Sequence, residues 1–294
     1  MTATTTRNPI AVFGTTFQNP ILLAAGTAGF GRELVDVMPV DRMGGIVTKA
    51  VSPEPRAGNA APRVSEFDGG MLNAIGLANP GLEQVVSEQL PWLDANVACA
   101  RVIVNVVGNT MADYVAVVER LTEFGVVTAF EINVSCPNTD EGGEEFGAND
   151  ETLTTLVARV RAATAKPIVV KLAPDLPDLG RTAQGVEGAG ADGFTLVNTM
   201  PSEALGEAAR AAGARLGLGR GGVSGPLLLP IGVEATKVVR RVTSLPIIGA
   251  GGVRAYEDLK RYLEAGASLV AVGTAALVDP RVPERLVTAW EADG

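Results

Sequence analysis

The stretch "FEINVSCPNTDEGG", residues 130–143, sets Cys136 between Asn133 and Asn138 at the end of an apolar run, in a chain with no histidine. Any general base must then be Cys, Lys, Asp, Glu or Tyr. A cysteine at its reference pKa of about 8.5 is only a few per cent thiolate at neutral pH, so a catalytic thiol needs a cation or N–H donors beside it. Lys49 and carboxamide N–H donors are the candidates for that help, and Lys49, Asn105, Lys171, Asn198 and Thr199 all close apolar runs. Lysine and asparagine are poor strand formers, and their recurrence at such run ends points to a shared polar rim. Cys99, in "NVACARVIV", reads as a small buried residue. Two cysteines without histidine predict neither a disulfide framework nor a metal centre. The acidic residues Asp140, Glu141, Glu144 and Glu145 read as a solvated loop.

Short apolar or β-branched runs must position these groups: "ILLAA" (21–25), "GIVTKA" (45–50), "VIVNVVG" (102–108), "FEINVS" (130–135), "PIVVKLA" (167–173), "GFTLVNT" (193–199), "PIIGAGG" (246–252) and "LVAVGTA" (269–275). Near-continuous apolarity suits strands buried on both faces. Between them, segments such as "DYVAVVERLTEFG", "ETLTTLVARVRAAT", "GVEATKVVRRVTS" and "AYEDLKRYLEAGA" repeat apolar residues at helical spacing. Strand and helix in eightfold alternation predict a (β/α)8 TIM barrel, residues 1–294 forming one domain. Segments 52–101 and 200–226 exceed ordinary βα connections and predict a substrate cover at the catalytic face. "TATTTRNPIAVFGTTFQNP" predicts a hairpin closing the barrel bottom.

In such a barrel, function collects where the strands end at their C-terminal side. Those ends carry Ala25-Gly26, Lys49, Asn105, Asn133 with Cys136, Lys171, Asn198-Thr199, Gly251-Gly252 and Gly273-Thr274. The last two pairs offer bare backbone N–H groups ahead of a helix, suited to an anion such as phosphate. The lysines and carboxamides suit a flat heterocycle with carbonyl and N–H edges. A phosphorylated planar cofactor, FMN above all, satisfies both. A net charge of −9 argues against nucleic acid and anionic membranes. "MTATTTRNPI" does not resemble a signal sequence, and the longest apolar run, "SLVAVGTAALV", is about half of a bilayer span. A cytoplasmic protein is expected.

Collinear motifs then carry a resemblance. "FGREL" (30–34), "TKAVSPEPRAGNAAPR" (48–63), "GMLNAIGLANPG" (70–81), "INVSCPN" (132–138), "VKLAP" (170–174), "NT" (198–199), "GGVSGP" (221–226), "PIIGAGG" and "VGTAAL" resemble class 1 dihydroorotate dehydrogenase, and "NAIGLANPG" is most similar to the catalytic subunit of the NAD-linked 1B type. The resemblance implies FMN held at Ala25, Gly26, Lys49, Ala50, Asn105, Asn133, Lys171, Val197, Gly225, Gly251, Gly252, Gly273 and Thr274. It implies a substrate, dihydroorotate, gripped by Lys49, Asn73, Ala74, Ile75, Gly76, Leu77, Asn133, Asn138, Asn198 and Thr199, with Cys136 as the base and Lys49 beside it. Ala25 stands where the family often has serine, and Arg220 where threonine is common.

The implied reaction oxidises (S)-dihydroorotate to orotate in pyrimidine biosynthesis, Cys136 removing the C5 proton and FMN accepting the C6 hydride. The implied partners are a second copy of the chain and a subunit carrying FAD and a [2Fe–2S] cluster. Other readings stay open: an FMN enzyme acting on another dihydropyrimidine-like heterocycle, a Schiff-base barrel using Lys171 or Lys49, or a non-catalytic barrel that binds a phosphorylated ligand.

Overall fold

A computed structural model of the chain describes residues 9–134 and 149–293. The expected runs form the parallel strands β1 (Ile21–Leu23), β2 (Gly45–Val47), β3 (Arg101–Val106), β4 (Val127–Asn133), β5 (Ile168–Leu172), β6 (Gly193–Leu196), β7 (Ile247–Ala250) and β8 (Leu269–Val272). They pair in chain order and close into a barrel, with Val270, Ala271 and Val272 of β8 registered on Ile21, Leu22 and Leu23 of β1.

The period-2 alternation of a strand sorts each run between two cores. Leu22, Val47, Ile103, Ala129, Val169, Ile248 and Leu269 point inward and pack together. Their strand neighbours, including Ile21, Ile46, Val104, Phe130, Val170 and Val270, point outward beneath the helices. The hairpin Ile10–Val12 and Thr15–Phe17 plugs the bottom: Phe13 and Phe17 belong to the inner core and meet edge to face at 6.4 Å.

The helical segments fall at Met111–Leu121, Asp150–Ala163, Leu228–Arg240 and Tyr256–Glu264, with a further helix at Leu179–Gly188. Met111–Leu121 begins in a reciprocal cap, in which Thr110 Oγ1 accepts from Asp113 N and the Asp113 carboxylate accepts from Thr110 N.

The strict eightfold strand–helix alternation needs correction at its first step. Between β1 and β2 the chain makes only the short 3-10 turns Arg32–Leu34 and Val40–Arg42. Gly29 and Gly31 there adopt φ of 56° and 91° and Pro39 precedes the second turn, so a continuous helix cannot propagate. Cys99 also departs from expectation: it is exposed, in a loop whose N–H groups at Cys99 and Ala100 donate to Asp41 Oδ1.

The two long connections build one unit. Met200–Pro201, Gly222–Ser224, Gly70–Asn73 and Val64–Phe67 pair, in that order, as a four-stranded antiparallel sheet. Leu72, Ala74, Ala209, Ala212, Leu216 and Val223 form its private core, and Arg215 Nε donates to Ser65 Oγ at 3.0 Å. A cover with its own core is a rigid wall rather than a pair of loose loops. Among the described residues, no helix is long and apolar enough to cross a membrane.

Candidate active site at the barrel mouth

The inward-facing positions change character toward the C-terminal ends of the strands. Beneath lie the apolar residues of the inner core. One step further along each strand come Asn105 of β3, Glu131 of β4, Lys171 of β5 and Thr195 of β6, all buried. Their register is direct: Asn105 pairs with Glu131, and Lys171 with both Asn133 and Thr195. A strand period of two therefore stacks a polar layer on an apolar one.

Glu131 joins this layer. Its Oε1 accepts from Asn105 Nδ2 at 2.7 Å, its Oε2 accepts from Thr195 Oγ1 at 2.7 Å, and Lys171 Nζ lies 3.8 Å from Oε1. Asn105 Oδ1 is buried with no hydrogen-bond partner among the described residues, an acceptor suited to a donor from the cavity. Above, Asn198 Nδ2 donates to Asn133 Oδ1 at 3.1 Å, Thr199 N donates to Asn198 Oδ1 at 2.8 Å, and Tyr114 Oη donates to the Asn133 carbonyl at 2.9 Å. These bonds fix the amide orientations across the rim.

Between the rim and the lid opens a cavity of about 760 Å³, within the range of cofactor sites. Its lining includes Ala25, Gly26, Lys49, Ala50, Asn105, Asn133, Lys171, Val197, Asn198 and Thr199 from the barrel. Asn73, Ile75, Gly76, Leu77 and Gly225 reach it from the lid connections, and Gly251, Gly252, Gly273 and Thr274 from the last two strands. Ala74 is not among them. It is buried in the lid's own core, and its N–H and carbonyl bond Arg63 O and Asn59 Nδ2, so it braces the lid and does not line the cavity. Cys136 and Asn138 lie outside the described residues.

The two glycine ends form a concave backbone surface. Gly251 and Gly252 take φ of 118° and 76°, and a Cβ on Gly252 would lie 2.6 Å from Leu229 N. The hydroxyl of Tyr262 is shared between the carbonyls of Ala250 and Gly251, at 2.9 and 2.8 Å, turning those oxygens away from the cavity. Burial pushes the Tyr262 phenol well above its ordinary range, so it stays a donor. Thr274 Oγ1 donates to Ser224 Oγ at 2.8 Å, tying the end of β8 to the lid.

Residues absent from the sequence expectation also line the cavity, among them Thr27, Phe67, Met71, Ser224 and Arg254. Glu131 was legible in retrospect: a carboxylate inside a run that must be buried is a signal by itself. Arg254 stands one residue past the glycine pair, after Val253, and lines the same cavity, as a cation beside an anion cradle would.

Comparison with known proteins agrees with this geometry. The family model described as dihydroorotate dehydrogenase matches residues 9–291. The chain is 42% identical over 282 residues to the "Dihydroorotate dehydrogenase B (NAD(+)), catalytic subunit" of Listeria welshimeri, covering 96% of this chain and 91% of that protein. It is 43% identical over 269 residues to the protein of the same name from Bacillus cytotoxicus, covering 92% and 86%. The crystal structure of a DHODH from Eimeria tenella in complex with ferulenol superposes with a TM-score of 0.79 at 24% identity, over 95% of this chain and 82% of that one, and so shares the fold. With the family model spanning the whole barrel and its lid, this chain belongs to the dihydroorotate dehydrogenase family.

Proposed function

We propose that the chain is an FMN oxidoreductase that converts (S)-dihydroorotate to orotate, working as a single barrel domain with its active site in the lidded mouth. The observation that carries this reading is the family match over residues 9–291, which takes in both the cavity and its cover. The cavity residues fit FMN on physical grounds. The unpartnered Asn105 Oδ1 is an acceptor for a ring N–H, and the glycine cradle leaves backbone space that a Cβ would fill. Lys49, Asn105, Asn133 and Lys171 would hold the ring, while Gly251, Gly252, Gly273 and Thr274 would hold the phosphate. When bound, FMN supplies the two-electron acceptor for the hydride that leaves ring C6.

The chain's own residues do the rest. Lys49 and Lys171, which line the cavity, would place positive charge beside the bound ring and favour negative charge on it. Asn73, Ile75, Gly76 and Leu77 from the lid, with Asn133, Asn198 and Thr199 from the rim, orient the substrate between lid and barrel and exclude water. The sequence assigns Cys136 the C5 proton, with Asn138 beside the substrate.

The curated relatives are named catalytic subunits of an NAD(+) enzyme, which supports an electron-transfer partner. Two cysteines in the whole chain fall short of the four thiolates that a [2Fe–2S] cluster takes, so the cluster and FAD would sit on that partner. A second copy of this chain completes the assembly we propose, in the cytoplasm. Purified chain loaded with FMN should bleach when dihydroorotate is added without oxygen, and NAD should restore the colour only with the partner present. A yellow protein that stays yellow with dihydroorotate but bleaches with another dihydropyrimidine would replace the proposed substrate.

A further inference from the structure

The two lysines of the mouth are not equivalent. Lys49 makes no ion pair among the described residues, whereas Lys171 faces Glu131, whose residue exposure is 1%. Glu131 also controls Asn105. A carboxylate only accepts, so it binds the Nδ2 end of the carboxamide at 2.7 Å and leaves Oδ1 as the remaining function, a buried acceptor with no hydrogen-bond partner among the described residues. The Thr195 hydroxyl holds the other carboxylate oxygen at 2.7 Å. A charge buried this deeply is costly unless paired and bonded, and here every bond it makes reaches a residue of the polar layer.

We propose that Glu131 is a positioning residue of the reaction: it fixes the amide orientation of Asn105 and offsets the charge of Lys171, setting how strongly the mouth stabilises negative charge on its bound ring. The inference rests on FMN occupying this cavity. Without Glu131 the Lys171 cation loses this counter-charge, so a more electron-loving ring is expected. At the same time Asn105 is released to turn its donor end outward, which weakens the hold on a ring N–H.

The test uses the FMN-loaded protein and sulfite, which forms an anionic complex with oxidised flavin that is read by loss of yellow colour. Glu131→Gln keeps the shape and removes the charge. Expected are a sulfite complex tighter by about tenfold, the scale of one partly screened charge, and FMN affinity weaker by about tenfold, the scale of one lost hydrogen bond. A residue that only supports the fold would lower FMN affinity and melting temperature without tightening sulfite. Should Glu131→Gln fail to fold, the comparison moves to Lys171→Gln against the double variant Glu131→Gln/Lys171→Gln, whose pair is neutral. The double variant should then bind sulfite about tenfold more tightly than the single one. Sulfite affinity unchanged or weaker in the comparison made overturns the inference, as does failure of every Glu131→Gln protein to fold. Failure of the unaltered chain to bind FMN would overturn the reading beneath it instead.

Discussion

Gly252→Ala tests the anion cradle most sharply. Gly252 holds φ of +76°, where an L side chain costs about 1–2 kcal/mol. The added methyl would lie 2.6 Å from Leu229 N, 2.7 Å from Leu229 Cβ and 2.9 Å from Leu229 Cα. Two of those atoms are backbone in the first turn of Leu228–Arg240, so the obstacle cannot swing aside as a flexible side chain would. With strain and displacement together, about 2–4 kcal/mol is expected. In a chain this long, that corresponds to a fall of roughly 4–16 °C in melting temperature. Movement of Gly252 also displaces the backbone that lines the cavity at Gly251 and Gly252, and FMN affinity should fall by about 10²-fold, the scale of two lost hydrogen bonds to an anion. Gly188→Ala serves as the control, because its Cβ meets nothing within 4 Å and its φ is not positive. That control should be neutral or gain a few tenths of a kcal/mol, roughly. The assays are calorimetry and quenching of FMN fluorescence on titration into the cofactor-free protein. A Gly252→Ala protein that melts and binds FMN like the unaltered chain would refute the cradle.

Three further outcomes are expected. Tyr262→Phe removes the hydroxyl shared by the carbonyls of Ala250 and Gly251; Ala250 O keeps its bond from Val197 N, but taking this donor from the Gly251 carbonyl should cost about 1–3 kcal/mol by denaturant titration and weaken FMN binding along with it. Leu72→Ala hollows the lid's private core, where Leu72 is fully buried; it should cost about 2–5 kcal/mol, raise the KM for dihydroorotate and leave FMN binding nearly unchanged. Cys136→Ala should slow flavin reduction by dihydroorotate about 10²–10⁴-fold, the range for a positioned base. Reoxidation of pre-reduced protein should be unaffected, and stopped-flow absorbance separates the two.

The legibility of the molecule varied with how local its causes are. The barrel strands were readable because burial on both faces demands continuous apolarity, and every one of the predicted runs became a strand. The helices were readable from their spacing, and the missing first helix was foreshadowed by Gly29, Gly31 and Pro39. Most of the rim residues line one cavity because a strand end in a closed ring has only one place to point. Ala74 escaped this logic: alternation along Gly70–Asn73 continues into the next residue and turns its methyl toward the lid core. Cys99 escaped it as well, since flanking apolar residues do not bury a loop position that sits on Asp41.

By itself the sequence determined which segments are strands, where polar groups interrupt them, and which family the motifs resemble, because each of these depends on local pattern. Only the tertiary structure decided that segments 52–101 and 200–226 meet in one sheet, and that Asn105, Glu131, Lys171 and Thr195 share one buried layer. Those contacts join residues dozens of positions apart, and their register is set by closure of the ring, which no single run encodes.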